Sequence, residues 1–127
     1  MIDHVSVAVR DLAAAADFYE AVLGTLGYVK LDGRVATLGF GKRYSEFWIN
    51  HRPGLAPGAT DSGAHVALRA PSAAAVEAFH AAALAAGGTC DGPPGPRPRH
   101  RDGYYAAFVR DLDGNRIEAV TFLEKAK

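Results

Sequence analysis

Cysteine is almost missing from this chain: Cys90 stands alone, so no intramolecular disulfide can form. No cation neighbours Cys90 in sequence to activate the thiol, and it reads as structural. An excess of charge is missing too. Fourteen Lys and Arg balance fourteen Asp and Glu, which excludes the basic footprint that phosphate-backbone binding needs and argues against a nucleic-acid partner. Long apolar runs are also lacking. The longest, from Ala81 to Ala86, ends at Gly87-Gly88 and falls far short of the roughly 20 residues of a membrane helix. The opening MIDHVSVAV carries no basic region or targeting signal, so a cytoplasmic setting is expected. Neither a phosphate-cradling G-x-x-x-x-G-K nor a dinucleotide G-x-G-x-x-G occurs, and no Ser-His-Asp order is found. Gly39-Phe40-Gly41-Lys42 has the wrong spacing and reads as a turn between strands.

What is present is an ordinary globular composition, 49% hydrophobic and 22% charged over 127 residues, enough for a single domain. Inside it lies a repeat. HVSVAVRDLAAAADFYEAVLGTLGY, starting at His4, falls without a gap on HVALRAPSAAAVEAFHAAALAAGGT, starting at His65. His4 meets His65, Phe18 meets Phe79, Leu23 meets Leu84 and Gly27 meets Gly88. Each copy opens with alternation: His4, Ser6 and Ala8 share one face and Val5, Val7 and Val9 the other, as do His65, Ala67 and Arg69 against Val66 and Leu68. A helix follows each strand, with Asp11 and Ser72 as N-caps. Val76, Phe79, Ala83 and Leu84 form the apolar stripe of the second helix, and glycines end both helices.

The first copy continues with strands over residues 28–31, 34–40 and 44–50, the first two joined at Asp32-Gly33. The second shows a short strand near Thr89, then strands over 103–110 and 116–122 joined at Asp113-Gly114-Asn115. The expected fold is α+β: two tandem βαβββ modules, about 1–52 and 62–124 of one 1–127 domain, forming a curved mixed sheet around a cavity. The Pro/Gly stretch 53–63 separates the modules, and a proline-rich loop over 93–103 lies inside the second.

The repeat nominates residues for chemistry. Glu118 lies on the last strand of the second module and Glu46 on the last strand of the first, and the 11-residue loop 93–103 would account for their different spacing from the histidines. Two imidazoles and two carboxylates on equivalent strands suit a divalent ion such as Zn, Ni, Co, Mn or Fe with positions open to substrate. A strand-opening histidine can equally be a polar residue at a sheet edge. Glu46 can be ligand, general base or exposed acid; Trp48 and Asn50 share its face. His51 and His80 read as surface residues, while Arg97, Arg99, His100 and Arg101, with Tyr104 and Tyr105, read either as a solvated basic loop or as a cover that meets an anionic substrate.

A repeated βαβββ unit with a histidine on its first strand, the Phe18-Tyr19 pair, and D-x-D-G-N-x-I-E over residues 111–118 resembles the vicinal oxygen chelate superfamily, which includes glyoxalase I, fosfomycin-resistance enzymes, extradiol dioxygenases and bleomycin-binding proteins. The resemblance covers essentially the whole chain. It implies a metal shell of His4, His65 and Glu118, with Glu46 as fourth ligand or catalytic base, and Trp48 among substrate-binding residues. It further implies a homodimer and a glyoxalase-like lyase or isomerase that stabilises an enolate or oxyanion of a small oxygen-bearing substrate. The alternatives are an extradiol-type dioxygenase and a non-catalytic protein that sequesters a drug or metabolite.

Overall fold

The computed structural model describes residues 1–56 and 61–124; part of the stretch between the modules and the last three residues lie outside it. Strand β1 (Val5–Val9) leads into helix α1 (Leu12–Gly24), followed by β2 (Val29–Gly33), β3 (Thr37–Gly41) and β4 (Ser45–His51). The same order repeats as β5 (Val66–Arg69), α2 (Ala73–Ala85), β6 (Thr89–Pro96), β7 (Tyr104–Arg110) and β8 (Arg116–Phe122). Each module is a four-stranded mixed sheet, ordered β1-β4-β3-β2 and β5-β8-β7-β6, with its first and last strands parallel. The two βαβββ modules of the α+β expectation are therefore present.

Alternation explains which face of each sheet is covered. Val9, Phe47 and Ile49 of the first sheet and Ala107, Val109, Ile117 and Ala119 of the second are buried against α1 and α2 in one shared core with Phe18, Tyr19 and Phe79. Asp11 and Ser72 cap the helices, accepting from the N–H of Ala14 (3.0 Å) and Ala75 (3.1 Å).

Several local expectations are corrected. Gly27 and Gly87, not Gly88, hold the left-handed φ values of +87° and +99° past the helix ends, where Tyr28 N–H donates to Leu23 O and Gly88 N–H to Ala83 O. The match therefore slips by one residue there, and Leu84, which sequence pairs with buried Leu23, is 43% exposed. Asp32-Gly33 does not turn the chain. Ser45 Oγ donates to Asp32 Oδ2 at 2.5 Å, the strand runs on, and the reversal falls at residues 34–36 with Arg34 N–H bonded to Thr37 O. Strand β6 is eight residues long and absorbs three prolines because it is an edge strand with irregular register between Cys90 and Gly95, so the loop shrinks to residues 97–103. Neither His51 nor His80 is a fully exposed residue: His51 Nε2 meets Arg10 O at 3.1 Å, and His80 Nε2 is buried with no hydrogen-bond partner among the described residues.

The modules are clasped by the turn at residues 111–115. Asp111, 6% exposed, accepts from the N–H groups of Asp113 and Asn115, from Asn115 Nδ2, and from the Tyr19 hydroxyl of α1 at 2.5 Å. Asp113 takes the backbone N–H and Nε of Arg10 at 3.0 and 2.9 Å, and Asn115 Nδ2 also donates to Ala8 O on β1 at 2.8 Å. Burial pushes the Asp111 carboxyl up, against the pull of these hydrogen bonds, and burial followed by Asp111 drives the Tyr19 phenol well above its ordinary value.

Candidate functional site

Glu118 sits in the middle of β8, opposite Ala67 of β5 and Phe108 of β7. Alternation turns it to the sheet face away from the helices, yet it is only 2% exposed. A buried carboxylate is costly unless its oxygens are satisfied. Here Oε1 meets His65 Nε2 at 3.1 Å, and Oε2 accepts from the Tyr104 hydroxyl on the neighbouring strand β7. His65 precedes β5 and is 50% exposed, so the pair is rooted in the sheet and open at one end. Burial, then Glu118, pushes the Tyr104 phenol up to about 12, with Arg101 pulling the other way, so Tyr104 keeps its proton at neutral pH and acts as a donor. The Tyr104 ring lies edge-on to Phe122 at 5.4 Å and beside the His100 ring at 4.9 Å.

His4 holds the matching place in the first module, one residue ahead of β1, but its ring is 55% exposed and Nδ1 bonds Asp3 at 2.8 Å. His4, Glu46 and His65 line one cleft of about 480 Å³ together with Tyr28 and Tyr44. Among the described residues no three His, Cys, Asp or Glu side chains converge as for a metal ion. His65 and Glu118 are brought together; His4 is held apart from them.

Strand register redraws the place of Glu46. Ala67 pairs with Glu118 on β8, and its counterpart Ser6 pairs with Trp48 on β4, so Trp48 occupies in the first module the position that Glu118 occupies in the second. An irregularity between Phe40 and Gly41 sets Ser45 opposite Gly41 and leaves Glu46 unpaired beside it. Glu46 neighbours the Tyr28 phenol, which burial and then the Glu46 carboxylate push up to about 12. Trp48 shares a second cleft with His4, Ser6, Arg34, Thr37 and Asn50, and Arg34 lies over its indole at 5.4 Å.

The basic loop divides. Arg97 is spent on carbonyls, donating to Pro93 O at 2.6 Å and Pro96 O at 3.2 Å, and lies over Phe108. Tyr105 turns to the helix side and donates to Glu77 of α2. Arg99, His100 and Arg101 are all exposed; the His100 ring lies beside Tyr104 and Arg101 over Phe122, on the face of Glu118. Sequence reading took Tyr104 for a pocket wall and missed its bond to Glu118; the alternation that puts Tyr104, Phe108 and Glu118 on one face was its available signal.

Among curated proteins no sequence matches this chain. Solved structures do. A glyoxalase/bleomycin resistance protein from Albidiferax ferrireducens is 36% identical, covering 93% of this chain and 95% of its own, with a TM-score of 0.79. A glyoxalase/bleomycin resistance protein/dioxygenase family enzyme from Burkholderia phytofirmans shares the fold at 19% identity, covering 96% and 98%, with a TM-score of 0.73. The fosfomycin resistance protein FosX from Listeria monocytogenes shares it at 17% identity, covering 92% and 88%, with a TM-score of 0.66. Residues 1–119 also match a family profile, and so the chain belongs to the Glyoxalase/Bleomycin resistance protein/Dioxygenase superfamily.

Proposed function

We propose that this protein is a metal-dependent, glyoxalase-like lyase or isomerase acting on a small oxygen-bearing substrate, with His65 and Glu118 as two ligands of a divalent ion and His4 as the third. The observation that carries this reading is the His65–Glu118 contact at 3.1 Å, with Glu118 2% exposed and His65 open to solvent. A buried carboxylate beside an accessible imidazole is a donor set that fits zinc, nickel, cobalt, manganese or iron. Bound there, the ion supplies Lewis-acid stabilisation of negative charge on a substrate oxygen.

The chain's own residues supply the rest. Tyr104, protonated at neutral pH, anchors Glu118 Oε2 and thereby orients Oε1. Glu46, on the wall of the cleft that His4 and His65 share, is the group we assign to carrying a substrate proton, with Tyr28 beside it. Trp48, His100 and Arg101 contact the substrate. Because His4 stands apart from the His65–Glu118 pair, we assign the third ligand to a homodimer in which His4 of a second copy completes the shell. A set of two histidines and one carboxylate also suits a ferrous dioxygenase, and this is the second reading.

Titration of chelator-treated protein with zinc, nickel, cobalt, manganese and ferrous ions tests the assignment. One ion per site is expected, with His65→Ala and Glu118→Gln each weakening binding at least tenfold. Wild-type affinity in both variants overturns it. Turnover of a hemithioacetal supports the lyase, oxygen uptake with catechols supports the dioxygenase, and ligand binding without metal supports sequestration.

A further inference from the structure

His65 stands one residue ahead of β5, and its ring is 50% exposed, with Glu118 Oε1 against Nε2. A half-exposed imidazole keeps such a contact only if the chain that carries it is fixed, because its other rotamers reach solvent. The parallel register, Val66 opposite Ile117 and Ala67 opposite Glu118, puts Arg116 of β8 beside His65 on the same face of the sheet. Arg116 in turn reaches the segment that leads into β5. Gly63, at φ +85°, turns that segment, and Asp61 Oδ1 accepts from the Gly63 N–H at 2.8 Å. The same Oδ1 lies 3.4 Å from Arg116 Nε.

The other edge of the guanidinium is anchored in the sheet. Arg116 Nη1 donates to Asp91 Oδ2 of β6 at 2.6 Å, and Arg110, opposite Arg116 on β7, donates to Asp91 Oδ1 at 3.3 Å. Burial raises the Asp91 carboxyl, but Arg116 and then Arg110 outweigh it and hold the group below its ordinary value, so it stays an anion at neutral pH. Two cations and two carboxylates cancel, and the cluster brings no net charge to the His65–Glu118 pair. It brings a tie: Asp61, His65, Asp91 and Arg116 line one hollow of about 180 Å³, with Arg116 joining the approach to His65 to β6 and β8.

We infer that Arg116 is a positioning residue: held by Asp91 on one side and holding Asp61 on the other, it fixes the chain entering β5 and so sets the His65 ring on Glu118 Oε1. The consequence for metal affinity rests on the metal-dependent reading; the placing of the ring does not. Charge and positioning differ in sign here. A cation beside a site for a divalent ion opposes binding, so by charge alone Arg116→Gln strengthens it and Asp61→Asn weakens it. Positioning makes both substitutions weaken it.

Two measurements on the full chain test this: the His65 ring resonances of chelator-treated protein, and zinc affinity. Arg116→Gln, Arg116→Lys and Asp61→Asn should each move the His65 signals toward free-imidazole positions and weaken zinc binding at least fivefold. Arg116→Lys keeps the charge, but one nitrogen cannot serve two carboxylates set against different edges of a guanidinium. Asp61 is 59% exposed, and exposed ion pairs add little to stability, so Asp61→Asn should leave Tm within about 2 °C and its effect on zinc is not unfolding. Arg110→Gln, which loses a contact to Asp91 but none to Asp61, should stay within twofold of the parent. Tighter zinc binding in Arg116→Gln, parental affinity in Arg116→Lys, or unmoved His65 signals in all three variants overturns the proposal. If the parent binds no zinc, the metal reading fails alone and the His65 signals still decide the positioning. If zinc binds and His65→Ala abolishes it while the Arg116 and Asp61 variants match the parent, the positioning fails alone.

Discussion

Replacing Tyr19 by Phe should weaken the joint between the modules without touching its packing. The Tyr19 ring is fully buried and stays in contact with Phe18 and Phe47, at centroid distances of 5.0 and 4.9 Å. What is lost is one hydroxyl donor on a carboxylate, at 2.5 Å. Hydrogen bonds to charged groups contribute about 1.5–3 kcal/mol, and Asp111 keeps three other donors, so the loss near neutral pH should be about 2 kcal/mol, or about 6–8 °C in Tm. The pH dependence has a definite sign. Burial raises Asp111 above its ordinary 3.8, and the Tyr19 bond is one of the influences that lower it, so Tyr19→Phe raises it further. A raised acid is favourable to the fold while protonated and loses that contribution as pH climbs from 3.8 through the folded-state value. The penalty of Tyr19→Phe should therefore be small below pH about 3.5 and fully developed near pH 7, as read by urea denaturation at the two pH values. A loss under about 0.5 kcal/mol at pH 7, or an equal loss at both, refutes the assignment of a charge-assisted bond to this pair.

Two further substitutions probe single features. Gly103 has φ +78°, and a Cβ there would lie 2.4 Å from the backbone oxygen of Leu123, so Gly103→Ala should cost about 2–4 kcal/mol in urea denaturation. Gly54→Ala, with open space around the added carbon, should stay within about 0.5 kcal/mol. The lone buried Nε2 of His80 and the lowering of its pKa below 6.5 by burial predict that His80→Leu gains about 1 kcal/mol at pH 7. A lowered histidine contributes stability above its unfolded value and loses it as pH falls through the folded one, so stability curves of His80→Leu and the parent should diverge between pH 6.5 and lower values; parallel curves contradict the reading.

The duplication was legible because it is local. A histidine before a strand, a capped helix and glycines after it repeat within 25 residues, and short-range pattern determines them. Register across strands was less legible. Glu46 looks like the counterpart of Glu118 when loop length is the only guide, but the parallel register of β4 on β1 sets Trp48 there instead, while Glu46 falls at an irregularity that depends on the close approach Gly41 permits beside Tyr44 and Ser45. The extent of β6 was hidden for a related reason: prolines argue against a strand unless one knows that it lies at the sheet edge.

The bond from Asn115 Nδ2 to Ala8 O ties β1, which begins just after His4, to the turn just before Glu118. Glu118 and His4 thus stand three and four residues from one bond between the modules, on opposite sides of it. The relative placing of these two side chains therefore depends on five residues, Asp111 to Asn115, and a sequence change confined to them would alter it without replacing either group.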